Sequence, residues 1–213
     1  MLSADFAAPP YFLKMQADPV VTLAEVSTID FVLMAHIAAG DHAAFRQLVE
    51  RHQHAVIGTV AKMLGNSSDA EDIAQQVFIR VWRHAKRYRP EAKFTTYLFT
   101  ITRNLVFNES RRRSRKKIIS SDLLESASHL QLPTDPAAQP DTTLLTTELQ
   151  HAIDTAIHAL PESQRLAVVL RRYENLPYED IASVLKTSVP SVKSLLFRAR
   201  TSLRASLATY LAD

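Results

Sequence analysis

The chain has 213 residues, 46% of them hydrophobic, which allows one medium-sized domain or two small ones with packed cores. It has no cysteine, which excludes disulfides and thiolate metal sites and fits a cytoplasmic protein. We expect no signal peptide and no membrane insertion, because the N-terminus lacks a basic segment before an apolar run and the longest apolar stretch, residues 31–39, is too short. Only three glycines occur, and alternating β-branched runs are rare, so the sequence favours an all-α fold.

The net charge of +3 is distributed unevenly along the chain. Residues 34–117 carry a net charge of +9, whereas residues 118–142 carry −4 and no base. A strongly basic module beside an acidic connector indicates a polyanionic partner. A basic face that is merely solvated is the simpler alternative.

The N-terminal half is predicted to form four helices after a poorly structured extension, residues 1–29. The first places Phe31, Met34 and Ile37 on one face. Asp41 is the predicted N-cap of the second helix, and Gly65 its predicted end. Two further apolar stripes are predicted to lie in the core, on the third helix (Ile73, Val77, Val81 and Trp82) and on the fourth (Leu98, Ile101 and Leu105).

The C-terminal half follows a linker, residues 118–142, that is rich in Ser, Asp, Gln and Pro. Residues 177–200 have the pattern of a helix-turn-helix, in which Ser188 caps the second helix. The predicted inward-facing residues are Ile181, Val184, Leu185 and Val192. Lys186 occupies the turn position where glycine is common, and a left-handed conformation there would cost roughly 1 kcal/mol.

The second helix of this motif directs a mostly polar and basic set of side chains outward or sideways. The set is Ser191, Lys193, Ser194, Phe197, Arg198 and Arg200. Hydroxyls and long cations on an exposed helix suit base edges and phosphates in a DNA major groove. An ordinary helical hairpin with solvated charges is the alternative.

In combination, three motifs resemble those of a bacterial RNA polymerase sigma factor. They are "DIAQQVFIRVW" (72–82), "LFTITRN" (98–104) and "VKSLLFRAR" (192–200). The resemblance is to the sigma-70 superfamily in its compact extracytoplasmic-function (ECF) type. It implies two small helical domains, a region 2-like bundle at 30–117 and a region 4-like helix-turn-helix at 143–213, joined by a flexible linker at 118–142.

The resemblance also implies a role for each surface. The third helix would bind core RNA polymerase, and the candidate contacts are Asp72, Gln75, Gln76 and Ile79. The loop at 86–96 and the fourth helix would recognise and melt the −10 promoter element through Phe94, Tyr97, Arg103 and Asn104. The basic run would contact phosphates through Arg111, Arg112, Arg113, Arg115, Lys116 and Lys117. The outward-facing set of the helix-turn-helix would read the −35 element.

This sequence departs from the family pattern at three positions. Gln76 stands where an acid is frequent, and Lys186 and Pro190 stand where glycine is usual. The first departure bears on charge complementarity with the polymerase. The other two bear on how the recognition helix approaches DNA.

The predicted function is therefore that of an ECF sigma factor, with core RNA polymerase and promoter DNA as partners and an anti-sigma factor as a candidate third. The alternative is a stand-alone helix-turn-helix regulator that does not bind polymerase. An enzyme is not expected, because no zinc-protease motif, Gly-rich phosphate loop or supported Ser-His-Asp grouping occurs. For the same reason we expect no cofactor and no metal.

Overall fold

The computed structural model describes residues 23–65, 68–89, 91–121 and 142–210, and within these ranges it contains no strand. The helices are α1 (Leu23–Ala38), α2 (His42–Leu64), α3 (Ser68–His84), α4 (Phe94–Ser121), α5 (Thr142–Ala159), α6 (Glu162–Arg172), α7 (Tyr178–Leu185) and α8 (Val189–Ser206). Short 3-10 turns span Ala85–Arg87 and Ala208–Tyr210. The predicted all-α class is confirmed. Residues 1–22 of the predicted extension and 122–141 of the predicted linker lie outside the described residues.

Local signals set the ends of α2 as predicted. The Asp41 carboxylate accepts hydrogen bonds from the amides of Ala43 and Ala44, at 2.8 and 3.1 Å, which satisfies donors that the first turn leaves free. Gly65 ends the helix in the left-handed region, at φ 69°. A Cβ at Gly65 would lie 2.7 Å from the His158 ring of α5, so glycine also permits that close approach.

Helices α1 to α4 form the N-terminal module around a shared hydrophobic core. Ile73, Val77 and Val81 are buried in it, as predicted. The prediction for α1 was wrong in one respect, because Phe31 is 47% exposed. The buried face of α1 runs through Asp30, Leu33, Met34 and Ile37, and Phe31 lies about 100° away from Asp30 around the helix.

Helices α5 to α8 form the C-terminal module, and its helix-turn-helix follows the predicted pattern. Ile181, Val184, Leu185 and Val192 are all buried. Ser188 Oγ accepts a hydrogen bond from the amide of Ser191 at 3.3 Å. Lys186 adopts the left-handed conformation, with φ 55° and ψ 49°, that the turn requires.

The two modules pack directly against each other, which the sequence did not predict. Helix α4 contacts α7, and α2 contacts α5 and α6, so one hydrophobic cluster runs through both modules. A salt bridge and a hydrogen bond cross the same interface. Lys93 Nζ lies 3.2 Å from Asp180 Oδ2, and Arg165 Nη1 donates to the carbonyl of Met63 at 2.5 Å. The C-terminal module is therefore held beside α2 and α4 in this structure.

The described residues include no helix that combines the length and the apolar character needed to cross a membrane.

Candidate nucleic-acid interface

A cavity of about 360 Å³ lies where the end of α3, the following turn and the first half of α4 meet. We call it the strand cavity. Its lining residues are Arg80, His84, Arg87, Tyr88, Arg89, Tyr97, Ile101 and Asn104. Three arginines and two tyrosines around one small volume provide cations for phosphates and aromatic faces for a base.

Helix geometry explains how α4 contributes to this cavity. Tyr97, Ile101 and Asn104 are spaced i, i+4 and i+7, so they share one face of α4. Leu98 and Leu105 lie on another face and are buried, which anchors the helix in the module core. The structure thus brings the predicted residues Tyr97 and Asn104 to one wall. The predicted core position of Ile101 is only half-buried, because Ile101 also borders the cavity.

The two tyrosines form an aromatic cluster with Phe94. The rings of Tyr88 and Tyr97 are 5.0 Å apart, and each ring centroid lies 6.2 Å from that of Phe94. Burial raises the pKa of both tyrosine hydroxyls, so both stay neutral at physiological pH. Neutral, half-buried rings can offer a face to a base without a charge that repels phosphates.

The prediction that Phe94 contacts DNA does not fit its position. Phe94 is 2% exposed and lies beneath the two tyrosines, against the ring of His52. As the first residue of α4, it turns back into the module core rather than outward. We therefore remove Phe94 from the candidate interface and regard it as a support of the strand cavity.

Arg103, which is also predicted to contact the −10 element, does not line the strand cavity. Its Nη1 donates to Asn104 Oδ1 at 3.1 Å, and its guanidinium lies 5.1 Å from the centre of the Phe107 ring. These contacts hold the side chain along α4. Arg103 thereby orients the Asn104 amide that does line the cavity.

The basic run at the end of α4 is partly neutralised within the protein. Glu109 accepts hydrogen bonds from Arg112, at 2.7 and 2.8 Å, and from Arg113 at 3.0 Å. These hydrogen bonds lower the pKa of Glu109 to about 2, and those from Arg112 contribute most. Arg113 also pairs with Asp69 and is half-buried, so it ties α4 to α3.

Arg111 and Arg115 also belong to this run. Both are exposed and line an open groove together with Asn108, Ser114 and Glu162. Arg112 is exposed too, although it is paired with Glu109. Lys116 and Lys117 lie on α4, but their side chains are outside the described residues.

The predicted polymerase contacts lie on the outer face of α3. Asp72, Gln75, Gln76 and Ile79 are all exposed, and Ile79 keeps 47% of its surface accessible. The opposite face of α3 is in the core. An exposed isoleucine flanked by polar residues is compatible with a protein-binding surface.

The recognition helix α8 presents the predicted outward-facing set. Lys193, Phe197, Arg198 and Arg200 are exposed, while Ser191 and Ser194 are half-exposed. Phe197 is 68% exposed, more than any other large hydrophobic residue the structure describes. Arg198 Nη2 donates to Ser194 Oγ at 2.9 Å, which aligns the guanidinium along the helix.

Sequence reasoning missed five side chains of the strand cavity. Arg80 and His84 belong to α3, which the resemblance assigns only to polymerase binding. Arg87, Tyr88 and Arg89 belong to the loop at 86–96, which was predicted to act only as a whole. Arg80 and His84 are spaced i, i+4 at the C-terminal end of α3, close to the loop at 86–96. That spacing next to a predicted DNA-contacting loop was the available signal.

Comparison with known proteins gives two matching family models that fall on the two modules. The model of sigma-70 region 2 matches residues 48–116, and that of sigma-70 region 4 matches residues 150–203. The RNA polymerase sigma-H factor of Pseudomonas aeruginosa is 32% identical over 84% of this chain and 93% of the relative. The ECF RNA polymerase sigma-E factor of Haemophilus influenzae is 33% identical over 80% of this chain and 91% of that protein.

Two solved structures share the fold. CnrH in complex with the cytosolic domain of CnrY has a TM-score of 0.61 and 23% identity, and covers 85% of this chain and 98% of that one. The sigma factor RpoE in complex with the anti-sigma factor NepR from Bartonella quintana has a TM-score of 0.60 and 24% identity. That match covers 77% of this chain and 96% of the RpoE chain. With region 2 and region 4 both matched and close relatives along most of its length, this chain belongs to the sigma-70 family as an ECF RNA polymerase sigma factor.

Proposed function

We propose that this sigma factor melts promoter DNA by holding an unpaired base of the −10 element in the strand cavity, while α8 reads the −35 element in duplex form. The observation that carries the proposal is the strand cavity itself. It joins two neutral tyrosine rings, the Asn104 amide and the cations of Arg80, Arg87 and Arg89. The function requires no bond-making by the protein, so capture of a strand is sufficient.

The physical basis of melting is differential binding. A duplex presents its phosphates but not the faces of its bases, whereas an opened strand presents both. Stacking of a base on an aromatic ring contributes roughly 1–3 kcal/mol, and this term is gained only when the base leaves the duplex. The tyrosines therefore favour the open strand, and the arginines favour either form.

Recognition of the −35 element is assigned to the exposed face of α8. Arg198 and Lys193 can reach acceptors on base edges, and Phe197 can contact a thymine methyl group. Arg200 can add a phosphate contact, which positions the helix without reading sequence. The exposure of this face in the described structure supports the assignment.

Attachment to core RNA polymerase is assigned to the outer face of α3, through Asp72, Gln75, Gln76 and Ile79. These four side chains are exposed, whereas Ile73, Val77 and Val81 on the opposite face of α3 are buried. A cytoplasmic location follows from the two partners, polymerase and promoter DNA. An anti-sigma factor is a further candidate partner, because both structural neighbours are sigma-factor-like folds held in complexes, one of them with a named anti-sigma factor.

The test uses the full chain with purified core RNA polymerase. We expect co-purification of the two proteins, and we expect that Ile79→Asp abolishes it without changing the thermal melting of the free factor. A stand-alone regulator would show no such complex. The polymerase complex is then used to transcribe a genomic promoter library in vitro, which identifies the promoters that the factor selects. The absence of any selected promoter would contradict the proposal.

A further inference from the structure

A buried carboxylate lies beneath the strand cavity, in a part of the chain that precedes the matched region 2. Asp30 of α1 is 1% exposed, and it is the only buried carboxylate among the residues whose exposure the structure describes. Its Oδ1 accepts a hydrogen bond from Arg51 Nε at 3.2 Å, and its Oδ2 lies 3.0 Å from His52 Nε2. Burial of a carboxylate is tolerated when it is paired in this way.

A chain of ring contacts leads from this pair to the cavity wall. The His52 ring lies 5.2 Å from the Phe94 ring, and Phe94 in turn touches both Tyr88 and Tyr97. Of these aromatic side chains, the two tyrosines line the strand cavity. The orientation of the His52 ring therefore affects the packing on which both tyrosines rest.

Helix α1 also contacts the segment that leads into the cavity. It packs against the 3-10 turn Ala85–Arg87, which leads directly into Tyr88. Burial raises the Tyr88 pKa most, and the electrostatic interaction with the Asp30 carboxylate raises it further. Asp30 is thus linked to the cavity in two ways, by its contact with His52 of α2 and by its electrostatic interaction with Tyr88.

We propose that Asp30, acting through His52 and Phe94, is a positioning residue that fixes the Tyr88 and Tyr97 rings for stacking on an unpaired base. An apolar residue could fill the volume of Asp30, but it would leave the His52 nitrogen unpaired and its ring free to turn. The directed contact selects one orientation of His52 and hence one surface for Phe94 and the tyrosines. This inference rests on the proposed function of the strand cavity.

The first measurement needs no DNA. The chain has six tyrosines, so incorporation of 3-fluorotyrosine gives a small set of ¹⁹F resonances that Tyr→Phe variants assign. We expect Asp30→Asn and His52→Phe each to shift the resonances of Tyr88 and Tyr97 and to leave that of Tyr210 unchanged. His52→Phe retains a ring against Phe94, so it tests the Asp30 contact even where Asp30→Asn fails to fold.

The second measurement compares binding of a labelled 12-nucleotide single strand of random sequence with binding of a random duplex of the same length. For both variants we expect roughly tenfold weaker single-strand binding, which corresponds to the loss of about one stacking contact, and duplex binding within about twofold of wild type. The matched control is Glu50→Gln, which removes an exposed carboxylate from the same module and should change neither measurement.

Unshifted Tyr88 and Tyr97 resonances in a folded variant would overturn the inference, as would equal loss of single-strand and duplex binding. Asp30 would then serve only the stability of the core. If instead wild-type protein shows no single-strand preference that depends on Tyr97, the proposed function fails. The fluorine shifts still decide the positioning role in that case, so the two failures are distinguishable.

Discussion

The strand cavity and the recognition face of α8 bind the same kind of partner but are built in opposite ways. The stacking rings of the cavity, Tyr88 and Tyr97, are half-buried and rest on a packed core, and their supports, Phe94 and His52, are buried. The α8 face consists of exposed side chains, and Phe197 is 68% exposed. A site for an opened strand needs a fixed shape, whereas a helix that enters a groove needs only side chains that extend from it.

This difference predicts how substitutions act. Changes near the cavity alter both stability and strand capture, because the same rings serve the core and the site. Changes on the α8 face alter recognition alone, because exposed positions away from special contacts change stability by about 0.5 kcal/mol at most.

The largest expected effect is that of Tyr97→Ala. Removal of one stacking ring should weaken open-complex formation by roughly 5- to 150-fold, equivalent to about 1–3 kcal/mol. Permanganate reactivity of unpaired thymines in the polymerase–promoter complex measures the opened fraction. Tyr97→Phe keeps the ring and is the control, and an equal loss in that variant would show that the hydroxyl rather than stacking matters.

Arg198→Ala should have a somewhat smaller and more selective effect. If Arg198 contacts a base edge, binding to the preferred −35 sequence falls by roughly tenfold, while binding to unrelated duplexes changes little. Fluorescence anisotropy with matched and scrambled duplexes measures both. A uniform loss across all duplexes would assign Arg198 to phosphate instead, and an altered melting temperature would contradict the claim that the α8 face is independent of the core.

A third prediction concerns whether the two regions stay together. Glu174 lies in the module interface, where Thr59 donates to its carboxylate at 3.2 Å, and burial raises its pKa to about 7. Because this pKa is above the ordinary value of 4.5, the protonated form favours the packed modules. The packed arrangement is thus fully stabilised below about pH 4.5, and this contribution is lost as the pH rises through 7.

The absence of cysteine allows this to be measured directly, with spin labels at Gln47→Cys and Arg204→Cys on the two modules. We expect longer label distances at pH 8 than at pH 6. Glu174→Gln should remove most of that pH dependence and keep the modules packed at pH 8. If the distances in the wild type do not change with pH, the Glu174 carboxyl does not control the interface.

The smallest effect is expected at the turn of the helix-turn-helix. Lys186 has φ 55°, a conformation that glycine adopts without strain. Lys186→Gly should therefore raise the free energy of unfolding by up to about 1 kcal/mol, measured by urea denaturation. Lys186→Ala, which keeps the Cβ, should show no such gain, and DNA binding through α8 should be unchanged in both variants.

The parts of the molecule that sequence could predict are those determined by local rules. Ser188 caps α8, and Lys186 adopts the left-handed conformation. Both features could be predicted because they depend only on neighbouring residues in the sequence. Tyr97 and Asn104 share a face of α4 because of helical spacing alone. The buried and exposed faces of α3 follow from the same periodicity.

The parts that sequence could not predict depend on contacts between distant segments. Phe94 precedes Tyr97 by three residues, so spacing alone places both on one face, yet the core beside His52 takes up the Phe94 ring. The basic run predicts a phosphate contact for Arg113, but its pairing with Asp69 of α3 depends on how the two helices pack. The module interface around Glu174 joins surfaces more than a hundred residues apart, which no local pattern indicates.

In the proposed function, the strand cavity acts on opened DNA and α8 acts on the duplex. The most direct test is transcription from one selected promoter, prepared either as intact duplex or with its −10 element already unpaired by mismatches. We expect the unpaired template to restore most of the activity that Tyr97→Ala loses and none of what Arg198→Ala loses. Equal rescue of both variants, or of neither, would contradict this division of work between the two modules.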